Sequence, residues 1–179
     1  MVTRVVLILL AVFILPLIAL PLRAEPSSDA EVQGQESLYR KVDDFPYLSE
    51  FESVRSFDKY IDDYEKECID KTYGNTKAIP CFVGYELWDR ELNKYYKILM
   101  SQLSENQQEI LRESQRVWLK NRDRSIEFNS ALLDMKYDKA EGTIYSAMRA
   151  SDSASVIPAI IKQRALLLKQ WAQMVGAEN

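Results

Sequence analysis

The sequence predicts an all-α protein, an antiparallel helical bundle of about four helices with a central helical hairpin and one disulfide. Apolar residues recur at three- and four-residue steps through most of the chain after residue 50, and no segment gives a convincing strand pattern. Two of the periodic segments, 85–99 and 108–123, are separated only by a short polar turn. Because short connections join antiparallel neighbours, these two segments form the predicted hairpin.

The helix boundaries follow from the same periodicity and from capping residues. Ser104 and Gln107 form a capping-box pattern at the start of the third helix. Pro158 suits the first turn of the last helix, where a missing amide hydrogen costs nothing. Residues 136–155 are assigned to no element, since Gly142 breaks the pattern. The predicted helices cover 51–73, 82–103, 104–135 and 156–174.

The hairpin register pairs Tyr85 with Arg122 and Tyr96 with Leu111. Several polar or amphipathic residues then fall on or beside the inward stripe, namely Asp89, Asn93, Gln115, Trp118 and Arg122. A buried unpaired carboxylate is costly, so we expect Asp89 to be paired with Trp118 or Arg122, and Asn93 to exchange amide hydrogen bonds with Gln115. The network either fixes the helix register or forms a polar binding patch at the open end of the hairpin.

The adjacent pair Tyr95 and Tyr96 cannot both point into the hairpin. One of them covers another helix or lies outside as a contact residue, and exposed tyrosine favours protein interfaces. Both are therefore candidate contacts for a partner.

The N-terminal region reads as a targeting segment. One basic residue, Arg4, precedes the uncharged run 5–22, and a small residue follows at Ala24. This pattern predicts a signal peptide over 1–24, and the alternative is an inner-membrane anchor formed by 5–22. A flexible spacer over 25–50 and a helical domain over 51–175 follow. The targeting segment indicates a periplasmic or secreted protein.

Composition limits the chemistry of the domain. The net charge is −4, and it becomes −6 once Arg4 and Arg23 leave with the signal peptide. Such acidity argues against nucleic-acid binding. The chain has no histidine and no glycine-rich phosphate loop, so we expect no catalytic residues, no metal and no cofactor. The acidic residues at 62–67 look like a solvated helix face.

Cys68 and Cys81 are the only cysteines. Export to an oxidising compartment favours a disulfide between them. The alternative is a pair of buried free thiols in a cytosolic protein.

Over roughly residues 68–171, the sequence resembles the lysozyme-inhibitor LprI N-terminal-like family of small exported bacterial domains. The resemblance rests on the two cysteines and on motif positions Asp89, Leu92, Asn93, Tyr96, Gln115, Trp118, Arg122 and Asp123. It implies a helical, disulfide-bonded envelope protein that inhibits lysozyme. The family commonly has a second cysteine pair. Here Ser125 and Ser151 stand near those places, so we expect residues 124–155 to be looser.

The leading hypothesis is a protein that binds and inhibits a basic lysozyme. Acidic groups would steer a cationic enzyme, and a loop at 74–80 or 136–155 would block its cleft. The alternative is an envelope interaction module without inhibitory activity, which requires an exposed apolar patch. An enzyme would need a concave site beside paired carboxylates. Membrane contact is expected only through an uncleaved N-terminal segment.

Overall fold

The computed structural model describes residues 39–176, and within this range the chain is all-helical, as predicted. The described residues form four α-helices and three short 3-10 helices. The 3-10 helices are Val42–Asp44, Leu48–Glu50 and Thr76–Cys81. The α-helices are α1 Val54–Lys71, α2 Gly84–Gln102, α3 Glu105–Lys136 and α4 Thr143–Met174. The predicted signal peptide and residues 25–38 of the predicted spacer lie outside the described residues.

Helix α2 lies at the centre of the bundle and packs mainly against α4. Its buried stripe contains Leu87, Trp88, Leu92, Tyr95 and Leu99, each at most 3% exposed. Helix α1 crosses the same stripe, where the Phe57 ring meets Trp88 edge-on with ring centroids 5.1 Å apart. The i, i+3 and i, i+4 spacing that predicts α2 is therefore the spacing that builds the core.

The turn between α2 and α3 ends as the capping pattern predicts. The side chain of Gln107 accepts a hydrogen bond from the backbone N–H of Ser104 at 3.0 Å. Helix α3 then runs back along α2, but the two helices do not form the tight interface expected of the hairpin. Helix α4 occupies the apolar side of α2 instead, and a cavity remains between α2 and α3.

Helix α4 begins 13 residues before the predicted start, so Pro158 lies in its interior and not in its first turn. A proline there removes one helical hydrogen bond and is unfavourable. Close packing against α2 offsets this, because Gly84 has no side chain: a Cβ at Gly84 would lie 3.5 Å from Pro158 Cγ. The helix is preceded by Gly142, whose φ of 103° suits glycine.

The region without the second cysteine pair is helical on both sides of the α3–α4 connection. We call residues 124–136 and 143–156 the outer hairpin. Ion pairs join its two helices: Arg149 contacts Asp134 at 2.7 Å, and Lys136 contacts Asp152. These pairs lie where the sequence predicts a loose segment, so polar contacts hold the two helices together without a second disulfide.

Residues 39–50 pack against the bundle, which differs from the flexible spacer predicted for them. Phe45 and Leu48 are 2% and 3% exposed and belong to the core. The guanidinium of Arg90 donates hydrogen bonds to the carbonyls of Val42, Phe45 and Pro46 at 2.7, 2.8 and 2.7 Å. The domain therefore includes an N-terminal arm, residues 39–50. No helix within residues 39–176 is long and apolar enough to cross a membrane.

Candidate functional site

A cavity of about 500 Å³ opens between α2 and α3. We call it the motif groove, because the motif positions of the sequence analysis line it. Its walls come from successive turns of both helices. They are formed by Asp89, Leu92, Asn93, Tyr96, Arg112, Gln115, Arg116, Trp118, Leu119 and Arg122. The groove has the size of a ligand or side-chain binding site. Asp123 is 63% exposed and is bonded to Arg122 outside this lining.

The hydrogen bonds around the motif groove differ from those predicted. Asp89 accepts a bond from Asn93 on its own helix at 2.8 Å, and not from Arg122. Arg122 donates to the neighbouring Asp123 at 2.9 and 2.6 Å. Because the cavity separates α2 from α3, these groups are satisfied within their own helices. Asp89 and Arg122 nevertheless face the same groove.

The predicted exchange between Asn93 and Gln115 is also replaced. Gln115 accepts a hydrogen bond from Arg164 Nε at 2.9 Å, and Ser114 accepts one from the same guanidinium at 3.0 Å. Arg164 is only 7% exposed, and burial lowers the pKa of its guanidinium. This arginine of α4 therefore fixes the position of α3, a role that the sequence analysis assigned to the α2–α3 pairs.

The prediction that Tyr95 is a candidate contact for a partner is wrong, because its side chain is fully buried in the core. It points away from the groove, with the ammonium groups of Lys94 and Lys169 within 5.4 Å and 5.2 Å of its ring. Tyr96 is half-buried and lines the groove, so it stays a candidate. The structure thus decides which of the adjacent tyrosines faces outward.

The rim of the groove on α3 is basic but paired. Arg112 and Arg116 each bond a glutamate one turn earlier, Glu109 and Glu113, at 2.9 Å. The hydrogen bond from Arg112 lowers the pKa of Glu109, and the hydrogen bond to Glu113 raises the pKa of Arg116. The groove therefore offers donors, acceptors and aromatic edges in nearly balanced charge, which suits recognition of a polar surface.

A second exposed feature is the crossover loop, residues 72–80, which connects α1 to α2. Cys68 and Cys81 are disulfide-bonded at its base with their Cα atoms 5.6 Å apart, which confirms the predicted pairing. Both cysteines are buried. The Asn75 side chain accepts the backbone N–H of Lys77 at 2.8 Å, and the Tyr39 hydroxyl donates to the Lys77 carbonyl at 2.7 Å. Covalent and polar contacts thus restrain this loop from both sides.

Tyr73 lies in the crossover loop and is a residue that the sequence analysis missed. It is 94% exposed, and its φ of 56° places a bulky residue in the left-handed region. Gly74 follows with φ 70°, so two successive left-handed residues end α1. The signal available in the sequence was the Tyr-Gly pair directly after the last helical turn.

The outer hairpin carries a third exposed feature, an apolar surface. Phe128 and Met135 of α3 are 65% and 73% exposed, and Ile144 of α4 is 58% exposed. Smaller exposed fractions belong to Leu132, Tyr145 and Met148. Phe128, Leu132 and Met135 recur at i, i+4 and i+7 on α3, so they share one face of that helix.

Comparison with protein families gives one match that covers more than half of the 179 residues. The family is described as Lysozyme inhibitor LprI, and it matches residues 66–163. This range contains the disulfide, the crossover loop and the motif groove. Neither the curated proteins nor the solved structures give a significant match. The chain belongs to the LprI lysozyme inhibitor family.

Proposed function

We propose that this protein is an exported envelope protein that binds and inhibits a lysozyme-type cell-wall hydrolase. The observation that carries this function is the family match over residues 66–163, which contain the disulfide, the crossover loop and the motif groove. A groove with balanced donors and acceptors and a restrained exposed loop are suited to contact another protein surface.

Charge supports the choice of a basic hydrolase. The chain has 27 acidic and 23 basic residues, and its net charge is −4. An acidic protein attracts a cationic enzyme at long range and raises the association rate. We therefore expect inhibition to set in faster at low salt and to slow as the ionic strength rises.

The test is a turbidity assay with a suspension of bacterial cells, a basic lysozyme and the oxidised protein. A micromolar excess of the protein should slow lysis in proportion to its concentration. Serum albumin, which is also acidic, is the control for nonspecific charge effects. Lysis at an unchanged rate with lysozymes of several classes would exclude the inhibitory function.

Export is part of the proposal, either by cleavage of the signal peptide 1–24 or with residues 5–22 kept as an inner-membrane anchor. N-terminal sequencing of the protein from fractionated cells distinguishes these forms. A mature chain that starts near residue 25 in the periplasm or medium supports cleavage. Recovery from the cytosol would contradict export.

A second candidate function is an envelope interaction module without inhibitory activity. The exposed apolar surface of the outer hairpin favours it, because Phe128 and Met135 are largely exposed in the described domain. This function predicts that replacing both residues by serine releases a co-purifying envelope protein. It also predicts that lysozyme activity is unaffected by the wild-type chain. Equal inhibition of lysozyme by the wild-type protein and by the double-serine variant would exclude this alternative.

A further inference from the structure

The crossover loop differs in charge from the rest of this acidic chain. Residues 71–85 contain Lys71 and Lys77 and no acidic residue. Lys71 is paired with Glu67 at 2.7 Å, whereas Lys77 makes no ion pair within residues 39–176. The loop therefore presents one available ammonium group in an otherwise uncharged stretch.

The loop is also held in shape before any partner binds. Its base is closed by the Cys68–Cys81 disulfide and by Thr72, which is 2% exposed and whose hydroxyl donates to the Ile69 carbonyl at 2.7 Å. The backbone at Lys77 is fixed through Asn75 and Tyr39. A segment that is already ordered loses little conformational entropy on binding.

Tyr73 adds an aromatic side chain to this ordered loop. A ring that is 94% exposed gains nothing from the core, and a left-handed backbone is unfavourable for tyrosine. Glycine would suit the conformation better, and a backbone outlier of this kind is a reason to look for a function of the side chain. Tyrosine supplies a large rigid contact at low entropic cost and is common among residues that dominate binding.

The catalytic cleft of a lysozyme-type glycosidase has complementary properties. It contains a pair of carboxyl groups that flank the scissile bond. An ammonium group can form charge-assisted hydrogen bonds with such carboxylates, and these are stronger than neutral ones. The acidic body of the inhibitor would attract the basic enzyme, and a cationic loop would then match the acidic centre of its cleft.

We infer that the crossover loop enters the catalytic cleft of the hydrolase, with Tyr73 as the aromatic anchor and Lys77 facing the acidic pair. This inference rests on the proposed function and specifies the part of the surface that performs it. The motif groove and the outer hairpin then lie outside the contact with the cleft.

The experiment measures binding and inhibition of lysozyme by the oxidised protein and by two loop variants. Tyr73→Gly removes the ring and retains a backbone that tolerates positive φ. Lys77→Gln removes the charge. Each variant should weaken binding at least tenfold. The matched controls are Ile110→Ala and Lys120→Gln, exposed residues of α3 outside the loop that should leave affinity within twofold of wild type.

A competition measurement separates the cleft from other surfaces of the enzyme. A chitin trisaccharide, which is a substrate analogue, should displace the inhibitor from lysozyme. Inhibition by wild type with unchanged affinity of both loop variants would overturn the inference and keep the proposed function. Binding that the trisaccharide does not weaken would also overturn it. A wild-type chain that neither binds nor inhibits would refute both proposals.

Discussion

Arg90 is expected to attach the N-terminal arm to the bundle, and Arg90→Met should release it. The guanidinium donates three hydrogen bonds to backbone carbonyls at 2.7 to 2.8 Å. Hydrogen bonds that involve a charged group contribute about 1.5–3 kcal/mol each. The full sum will not be lost, because the carbonyls regain water once the arm loosens. We expect the free energy of unfolding to fall by about 3 kcal/mol.

A loss of this size corresponds to a melting temperature about 10 °C lower for a domain of this length. Urea unfolding followed by tryptophan fluorescence measures the free energy directly. Limited trypsin digestion reports on the arm, since Lys41 is exposed but lies in a segment anchored by Phe45 and Leu48. The Arg90→Met protein should be cleaved at Lys41 much faster than wild type.

Arg90→Lys is the matched control for this substitution. It keeps the charge but loses the planar fork that reaches several carbonyls at once, so an intermediate loss is expected. An Arg90→Met protein with wild-type unfolding energy, within about 0.5 kcal/mol, and unchanged trypsin resistance would refute the assigned role of Arg90.

Three further perturbations test other parts of the fold. Replacing Cys68 and Cys81 by alanine should lower the free energy of unfolding by about 3 kcal/mol in a urea titration, because a closed loop of this length restricts the unfolded chain. Burial raises the pKa of Glu65, so the native state holds a proton above pH 4.5 that the unfolded state releases. Stability should therefore decrease as the pH rises from 4.5 through the raised pKa, and the urea midpoint of Glu65→Gln should lack this decrease. Arg164→Met should cost about 2 kcal/mol by the same titration, because Gln115 and Ser114 lose a charged donor but can still reach water.

The sequence predicts the helices well where one periodic face meets the core. Trp88, Leu92 and Leu99 share such a face, and α2 is two residues shorter at its start and one at its end than predicted. The disulfide could also be predicted, because the N-terminal pattern predicts export and two cysteines allow only one pairing. These features depend on local spacing and on composition, which a single sequence displays.

Other features depend on contacts between distant residues. Pro158 lies inside a helix because Gly84, far away in sequence, gives it room. Residues 39–50, which the sequence predicts as part of the flexible spacer, pack on the bundle, where Arg90 donates hydrogen bonds to the backbone carbonyls of this segment. Helical periodicity places Asp89 and Arg122 on facing stripes, but it does not give the distance between two helices. The motif groove exists because α4, and not α3, takes the apolar side of α2.

The lengths of the helices have a consequence for how this protein opens. Helices α3 and α4 have 32 residues each and extend about 48 Å, whereas α2 has 19 residues and extends about 28 Å. The outer hairpin therefore continues past the start of α2, where ion pairs hold its two helices and only Leu133 and Ala147 are buried. Amide hydrogens there should exchange through local unfolding while those of α2 exchange only when the whole domain unfolds. This protein is then expected to have two levels of cooperativity, a stable body and a separately opening extension.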